Sequence, residues 1–467
     1  MAKSKFLFLI ISLGLLLRIP MLNGSLWLDE AAQALESARP FSEQFKIAAD
    51  FQPPLFHYLL HFWMIIGRSE WWMRLISVFA GLGTIALTYL IVRRLYDNRV
   101  AITASLLLAT SPLHIFFSQE LRPYSLAAFW AVLAWYALLN MRNKTKWVIF
   151  VLASMAGLYT MYVYAFALIG QCLFVVLENK KNFKPLSKSL IIIALAGSVW
   201  LPFFREQLIV GGALKSDLPG WSEVVGYPFL KSLPLTIAKF FMGQVEIQSN
   251  PIRMLLILVP ISIFLIASYK MLRYSKNRFL IYWFWLPLLL VWIASLFIPI
   301  LQPKRVLFLL PGLWMIIAIY INSLKRNFAV FLLPLFLALN FSFTCIAWKT
   351  NEYQREDWRG LIAVLEQNYS GSDTKALFVF PESFAPWRWY SKGKIESVAI
   401  GEIYLDANTK LDLDRVKRYL LFDYLRSLTD PSEVVVKYLT DNGYREERTW
   451  DGGEVGFVRS FLNPYNR

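Results

Sequence analysis

The chain has 467 residues, of which 57% are hydrophobic and 17% charged, with a formal net charge of +16. Average globular usage is roughly 45–50% apolar and about 25% charged, so this composition, with a mean hydropathy of +0.46, excludes an ordinary soluble domain and points to lipid as the second solvent. The Lys and Arg residues gather in short clusters between apolar runs, where membrane topology puts them, and not along a groove, which excludes nucleic acid as the partner.

Lys3 and Lys5 precede an apolar run that continues through Arg18 and Pro20 to Leu22 with no small-residue cleavage site, so the N-terminus reads as a retained first helix and not a removed signal peptide. With about 20 apolar residues needed per crossing, the pattern predicts about eleven spans. They lie over Phe6–Leu22, Trp71–Val92, Val100–Phe117, Tyr124–Leu139, Trp147–Tyr162, Phe166–Leu177, Ser189–Phe204, Ile252–Met271, Leu280–Pro299, Val306–Ile321 and Ala329–Trp348. Between alternate spans sit Arg93, Arg94 and Arg99; Arg142, Lys144 and Lys146; Lys180, Lys181, Lys184 and Lys188; Lys270, Arg273, Lys276 and Arg278; and Lys325 and Arg326. All fall on one side with Lys3 and Lys5. That side is the cytoplasm by the positive-inside rule, and an odd number of spans sends the C-terminus outside. Reading Trp147–Leu177 as one tilted helix would put its flanking clusters on opposite sides, which favours two spans.

Two outer loops are long enough to hold structure. In the first, Asn23–Glu70, Asp29–Arg39 is helix-like and Leu55–Trp63 is apolar enough for the membrane interface. The second, Arg205–Pro251, mixes Gly, Pro and Trp with apolar patches and is expected to hug the surface. After Trp348 the composition becomes that of a soluble α/β domain, with helices expected over Trp358–Gln367 and Pro431–Asp441 and strands over Ala376–Phe380, Arg418–Phe422 and Val455–Val458. The expected division is therefore a transmembrane module over residues 1–349 and an extracytoplasmic α/β domain over 350–467. No repeat of fixed period and no low-complexity segment is present.

Cys172 and Cys345 lie inside apolar runs and read as small buried hydrophobes, not as a disulfide or metal pair. Three histidines, with no H-E-x-x-H or C-x-x-C, indicate no zinc site; a metal held by the protein would need carboxylates, and no cofactor is expected. Asn368-Tyr369-Ser370 has the form of an N-glycosylation sequon.

Four places carry candidate chemistry. Asp29 and Glu30, in Trp27-Leu28-Asp29-Glu30, stand at a membrane mouth, where an ionisable residue is a functional candidate and a carboxylate can act as a general base toward a hydroxyl. Equally, Asp29 can cap the following helix with Glu30 in its first turn. In Gln52-Pro53-Pro54-Leu55-Phe56-His57-Tyr58 the prolines stop one element and start another; His57 among aromatics serves as a catalyst or as a hydrogen-bonded interface residue. In the short turn Ser118–Ser125, Arg122 suits a phosphate, pairs with Glu120, or snorkels to headgroups. Lys304 and Arg305, in Gln302-Pro303-Lys304-Arg305, are outer-side cations that break the positive-inside pattern. A lipid phosphate, or headgroups in general, would account for them.

In this order, Trp27–Glu30, Gln52–Tyr58, Arg74–Ser77, Ser111–His114 and Ser118–Ser125 resemble the motifs of the glycosyltransferase C superfamily. Within it they resemble the bacterial family 39/83 proteins related to protein O-mannosyltransferases and lipid A aminoarabinose transferases. The resemblance covers about the first third of the chain; the later spans match in layout and the outer domain hardly at all. It implies the GT-C fold, an inverting transfer from a polyprenyl-phosphate sugar to an acceptor hydroxyl on a lipid, glycan or protein, and a site on the outer face of the cytoplasmic membrane. It assigns Asp29 as the base with Glu30 its companion, and places Glu120, Arg122, Tyr124, His57, Lys304 and Arg305 at the donor. Gln52 departs from the pattern, standing where the family often has His or Lys. A phosphate leaving group needs no general acid, so a base and cations suffice without a metal. The alternatives are a lipid or sugar transporter or flippase, which would show paired halves with discontinuous helices, and a lipid-linked-oligosaccharide polymerase or ligase of related fold using a diphosphate donor.

Overall fold

The computed structural model describes residues 2–44, 50–140, 144–221, 226–246, 251–369, 371 and 373–465; Arg142 of the second cationic cluster and Ser370 of the sequon lie outside them. The chain packs as two units. The first comprises Met1–Leu22, Pro40–Gln207 and Val225–Tyr353, and the second Asn23–Arg39, Leu208–Val224 and Gln354–Arg467.

The first unit is helical. Its helices are α1 (Ala2–Leu16), α3 (Leu55–Trp63), α4 (Glu70–Leu95), α5 (Asn98–Thr110), α6 (Pro112–Ser118), α7 (Tyr124–Leu138), α8 (Lys144–Leu158), α9 (Tyr164–Glu178) and α10 (Phe183–Ser198), then α12 (Phe229–Met242), α13 (Pro251–Met271), α14 (Leu286–Ala294), α15 (Leu310–Ser323) and α16 (Arg326–Lys349). Among the described residues, four stretches are individually long and apolar enough to cross a membrane: Glu70–Leu95, Met254–Met271, Ser275–Ala294 and Arg326–Lys349. Helices α5 and α6 form a pair bent by 60°, so the expected single span Val100–Phe117 is broken. The cause is Pro112, which lacks an N–H and starts α6 at its first turn. The Trp147–Leu177 stretch is two helices, α8 and α9. Helix α1 ends at Leu16, short of the expected Leu22, in a turn where Met21 has φ 70°.

That turn is secured by side chains. Arg74 Nη1 donates to the Leu22 carbonyl at 2.8 Å, and Gln119 Nε2 donates to Arg18 O at 3.1 Å and to Pro20 O. Arg18, fully buried, donates to Gly14 O at 2.8 Å and Ala109 O at 3.2 Å and pairs with His114 Nδ1 at 2.6 Å. Three of the sequence motifs thus meet around one turn of backbone.

The largely aliphatic core of this unit is threaded by stacked aromatics. Trp135 of α7 stacks on Trp283 at 5.0 Å, and Trp283 donates to Phe308 O. Helix α12, inside the loop expected to lie on the surface, sends Phe240 and Phe241 into this core, with Phe241 against Trp314 at 5.7 Å. The apolar patches of that loop serve protein packing. Helix α9 approaches a π-helical turn, Ile281–Trp285, so closely that a Cβ on Gly170 would run into the Tyr282 carbonyl oxygen.

In the second unit, α2 (Leu28–Ala38) and part of α11 (Leu201–Asp217) join an α/β domain. Its helices are α17 (Trp358–Asn368), α18 (Ala385–Tyr390), α19 (Arg426–Thr429) and α20 (Val434–Asp441), and its strands β1 (Thr374–Phe378), β2 (Glu396–Ala399), β3 (Arg418–Phe422), β4 (Arg445–Asp451) and β5 (Phe457–Leu462). The sheet order is β2-β1-β3-β5-β4. Strand β1 runs parallel to β2 and β3, while β5 is antiparallel to β3 and β4. Strands β1 and β3 are covered on both faces: Phe378 and Phe422 pack with Trp358 on one, Leu377 and Leu421 with Val435 and Leu439 on the other. Continuous apolar runs are what doubly covered strands require. The last strand is β5, with Val455 in the preceding 3-10 turn.

Gly170→Ala should lower the melting temperature in detergent, because overpacking against a fixed backbone carbonyl costs about 1–3 kcal/mol. Gly197→Ala, on α10 with open space around it, should be neutral or slightly stabilising. Equal melting temperatures for the two variants would contradict the α9 packing.

Candidate functional site

In the second unit, α2 starts at Leu28 because the extended Trp27 at its N-cap breaks the helix, and Trp27 makes no side-chain cap. Asp29 and Glu30 therefore both lie in the first helical turn. The capping role considered for Asp29 is excluded by this register, since the cap position is two residues earlier. The two carboxylates differ in setting: Asp29 is half-buried, whereas Glu30 is fully buried with Arg355 Nε at 3.8 Å.

The helix start is held by residues from far along the chain. Ser25 Oγ accepts from the Arg359 N–H at 3.1 Å, Asn23 O accepts from Arg359 Nη2 at 2.9 Å, and the Leu26 N–H donates to Tyr390 Oη at 2.7 Å. Glu356 is the third carboxylate here. One of its oxygens accepts from the Leu28 N–H at 3.4 Å and from Trp358 Nε1 at 2.7 Å, and the other from Tyr424 Oη at 2.8 Å. Burial holds the Glu356 carboxyl above the usual carboxylate range, with the charge of Asp29 adding to it and the three hydrogen bonds opposing it. Burial, then the adjacent Glu356, pushes the Tyr424 hydroxyl far up, so it stays a proton donor.

In the first unit, His57 on α3 is fully buried and its Nε2 lies 2.8 Å from Asp50 Oδ2. Pro54 sets the start of α3 and thereby the ring's position. Asp50 also accepts from Gln52 Nε2 at 3.2 Å, and Gln207 Nε2 donates to the backbone carbonyls of Asp50 and Gln52. Gln207 is fixed in turn by Tyr162, whose hydroxyl takes a 2.8 Å bond from Trp200 Nε1. Burial raises the Asp50 carboxyl, but the hydrogen bond to His57 and its charge, then the charge of Arg122, then Gln52, outweigh it and leave the carboxyl below its ordinary value.

Arg122 leads into α7 two residues before Tyr124, and Lys304 Nζ sits over the Tyr124 ring at 5.6 Å. The Arg122 carbonyl accepts from Ser77 Oγ at 3.5 Å, and Ser125 Oγ donates to Ser77 O at 2.9 Å, tying the Arg74–Ser77 and Ser118–Ser125 motifs together. Glu120 is buried. Arg305 Nη1 donates to Pro299 O at 3.2 Å and braces its own loop. His57, Arg122, Tyr124 and Lys304 are thus linked within one unit, while Asp29 and Glu30 belong to the other. Sequence reasoning missed Asp50, Gln207, Arg355, Glu356 and Tyr424. Asp50 had a signal, a carboxylate two residues before the Gln-Pro-Pro turn; the others are joined to their partners only by the fold.

The described geometry is thus two carboxylates in the first turn of α2 in one unit and, in the other, Arg122 acting on Asp50 with Lys304 over the Tyr124 ring. Residues 51–203 match the family of dolichyl-phosphate-mannose-protein mannosyltransferases. Among curated proteins, no sequence matches the chain. Among solved structures, the chain is similar to ArnT from Cupriavidus metallidurans in the apo state, with TM-score 0.61, 12% identity, and 99% of this chain and 98% of that one covered. It is also similar to the same protein bound to undecaprenyl phosphate, with TM-score 0.57, 12% identity, and coverage of 99% and 98%. A third is the oligosaccharyltransferase AglB from Archaeoglobus fulgidus in complex with an inhibitory peptide and a dolichol-phosphate, with TM-score 0.55, 12% identity, and coverage of 100% and 74%. The motif-bearing third of the chain is thus similar to the mannosyltransferase family, and the chain shares its fold with these solved structures along its whole length.

Proposed function

We propose that the protein transfers a sugar from a polyprenyl phosphate to an acceptor hydroxyl, with inversion, on the outer face of the cytoplasmic membrane. The observation that carries this reading is the mannosyltransferase match over residues 51–203, which contains both the Gln52–Tyr58 and the Ser118–Ser125 motifs. The reading takes residues 1–349, with eleven crossings and a cytoplasmic N-terminus, as the catalytic module and 350–467 as an extracytoplasmic domain.

In this mechanism Asp29 accepts the proton of the acceptor hydroxyl as its oxygen attacks the anomeric carbon. The bond from that carbon to the phosphate oxygen breaks on the opposite face, and the phosphate leaves with the electron pair. Cations at Arg122 and Lys304 stabilise the charge that develops there, Tyr124 lies between them in the loop order, and His57, Glu120 and Arg305 support the donor side. Glu30, buried against Arg355, is the companion that orients the turn. Asp29 is the more exposed of the two and is the base.

Asp29→Asn should lower turnover by roughly 10²–10⁴-fold with donor binding and melting temperature near wild type, measured as transfer from a radiolabelled polyprenyl-phosphate sugar in detergent. Glu30→Gln should cost stability more than chemistry. An inactive Glu30→Gln beside an active Asp29→Asn would move the base by one residue, and full activity in both would remove this turn from the reaction. Arg122→Lys keeps the charge and loses the planar fork, so donor affinity should weaken, and weaken further in Arg122→Ala; unchanged affinity in the alanine variant would return Arg122 to a headgroup role. Reporter fusions at Lys325 and at the C-terminus should give opposite sidedness. Two cytoplasmic signals would refute the eleven-span topology.

A further inference from the structure

Helix α2 begins without a side-chain cap of its own, since Trp27 at the N-cap offers no acceptor. The first-turn N–H groups of a helix need acceptors, and a carboxylate there also answers the positive end of the helix dipole. Glu356, 328 positions away in sequence, accepts from the Leu28 N–H. Its carboxylate is itself immobilised, by the Trp358 indole at 2.7 Å and the Tyr424 hydroxyl at 2.8 Å. Trp358 is fully buried and packs edge to face with Tyr424 at 5.2 Å, so both donors are fixed in the domain core. The preceding residue, Arg355, reaches Glu30. Consecutive residues of one segment thus grip successive parts of the turn that carries Asp29.

We propose that Glu356 is a positioning residue for Asp29: it supplies the missing helix cap from the C-terminal domain and thereby fixes the turn from which the base acts. The proposal rests on the reading of Asp29 as the base. It assigns the C-terminal domain a part in the reaction that its lack of motifs conceals. Glu356 acts through geometry and need not touch the substrate. Glutamine at this position keeps an oxygen for Leu28 and Trp358 and an amide that can donate to the Tyr424 oxygen, so it preserves the cap while removing the charge. Alanine removes the cap.

The test uses the full-length protein in detergent, with Glu356→Ala, Glu356→Gln and wild type compared by hydrogen exchange of the peptide spanning residues 25–34 and by steady-state transfer. In Glu356→Ala the first turn of α2 should exchange about fivefold faster, and kcat should fall roughly 10–100-fold, as expected for a misplaced catalytic group, with KM for the donor unchanged. Glu356→Gln should restore both exchange and kcat to within a few-fold of wild type. The proposal is overturned if exchange over 25–34 is the same in Glu356→Ala as in wild type, if the glutamine variant is as slow as the alanine variant, or if KM changes in place of kcat. If wild type itself transfers no sugar while Glu356→Ala still loosens α2, the cap stands and the transferase reading fails, so the two failures are distinguishable.

Discussion

Backbone carbonyls released where a helix ends among apolar neighbours have no water to turn to, and an unsatisfied group there costs several kcal/mol. Helix α1 ends in that setting at Leu16 and continues as a turn through Leu22. Its free carbonyls are met by Arg74 from α4, Gln119 from the turn after α6, and Arg18 from the turn itself. Because these donors come from three places in the chain, the native turn is held only where α4 and the turn after α6 pack around it. The motifs around Arg74, His114 and Gln119 read as functional in sequence, and in the fold they first secure this exit.

Downstream of the exit, two carboxylates are handled in opposite ways. Asp50 is surrounded by donors and cations, His57, Arg122 and Gln52, which together outweigh its burial. Glu356 accepts three neutral hydrogen bonds and lies near another carboxylate, and there burial dominates. Neutral donors stabilise a carboxylate less than charged ones do, so the same residue class ends on opposite sides of its ordinary range. A carboxylate that must stay ionised belongs in the first setting. One whose task is to hold a helix start tolerates the second.

Local pattern carried much of this architecture. The helix-like stretch after Trp27, the apolar helix Leu55–Trp63 and strand Arg418–Phe422 were all legible, because apolar period and proline punctuation are local properties. Strand β4 was not. Its sequence, Arg445–Asp451, is mostly charged and nearly all exposed because it is the sheet's edge, and charge on edge strands guards against edge-to-edge pairing while erasing the alternation that marks a strand. Glu356 was illegible for a different reason: nothing near residue 356 reveals that its partner is the amide of Leu28. The break at Pro112 was readable in principle, since a proline following a serine marks a boundary, but the apolar run on both sides outweighed it.

The setting of Asp50 also bears on the anion-binding role proposed for Arg122 and Lys304. Arg122 acts on Asp50, so its charge is partly compensated before any ligand arrives. Lys304 is held over the Tyr124 ring, and a ring quadrupole attracts a cation without cancelling its charge. Arg122, by contrast, carries a planar fork of directional donors. In the proposed reaction a donor phosphate at Arg122 would compete with Asp50 for the guanidinium, exchanging one anionic neighbour for another.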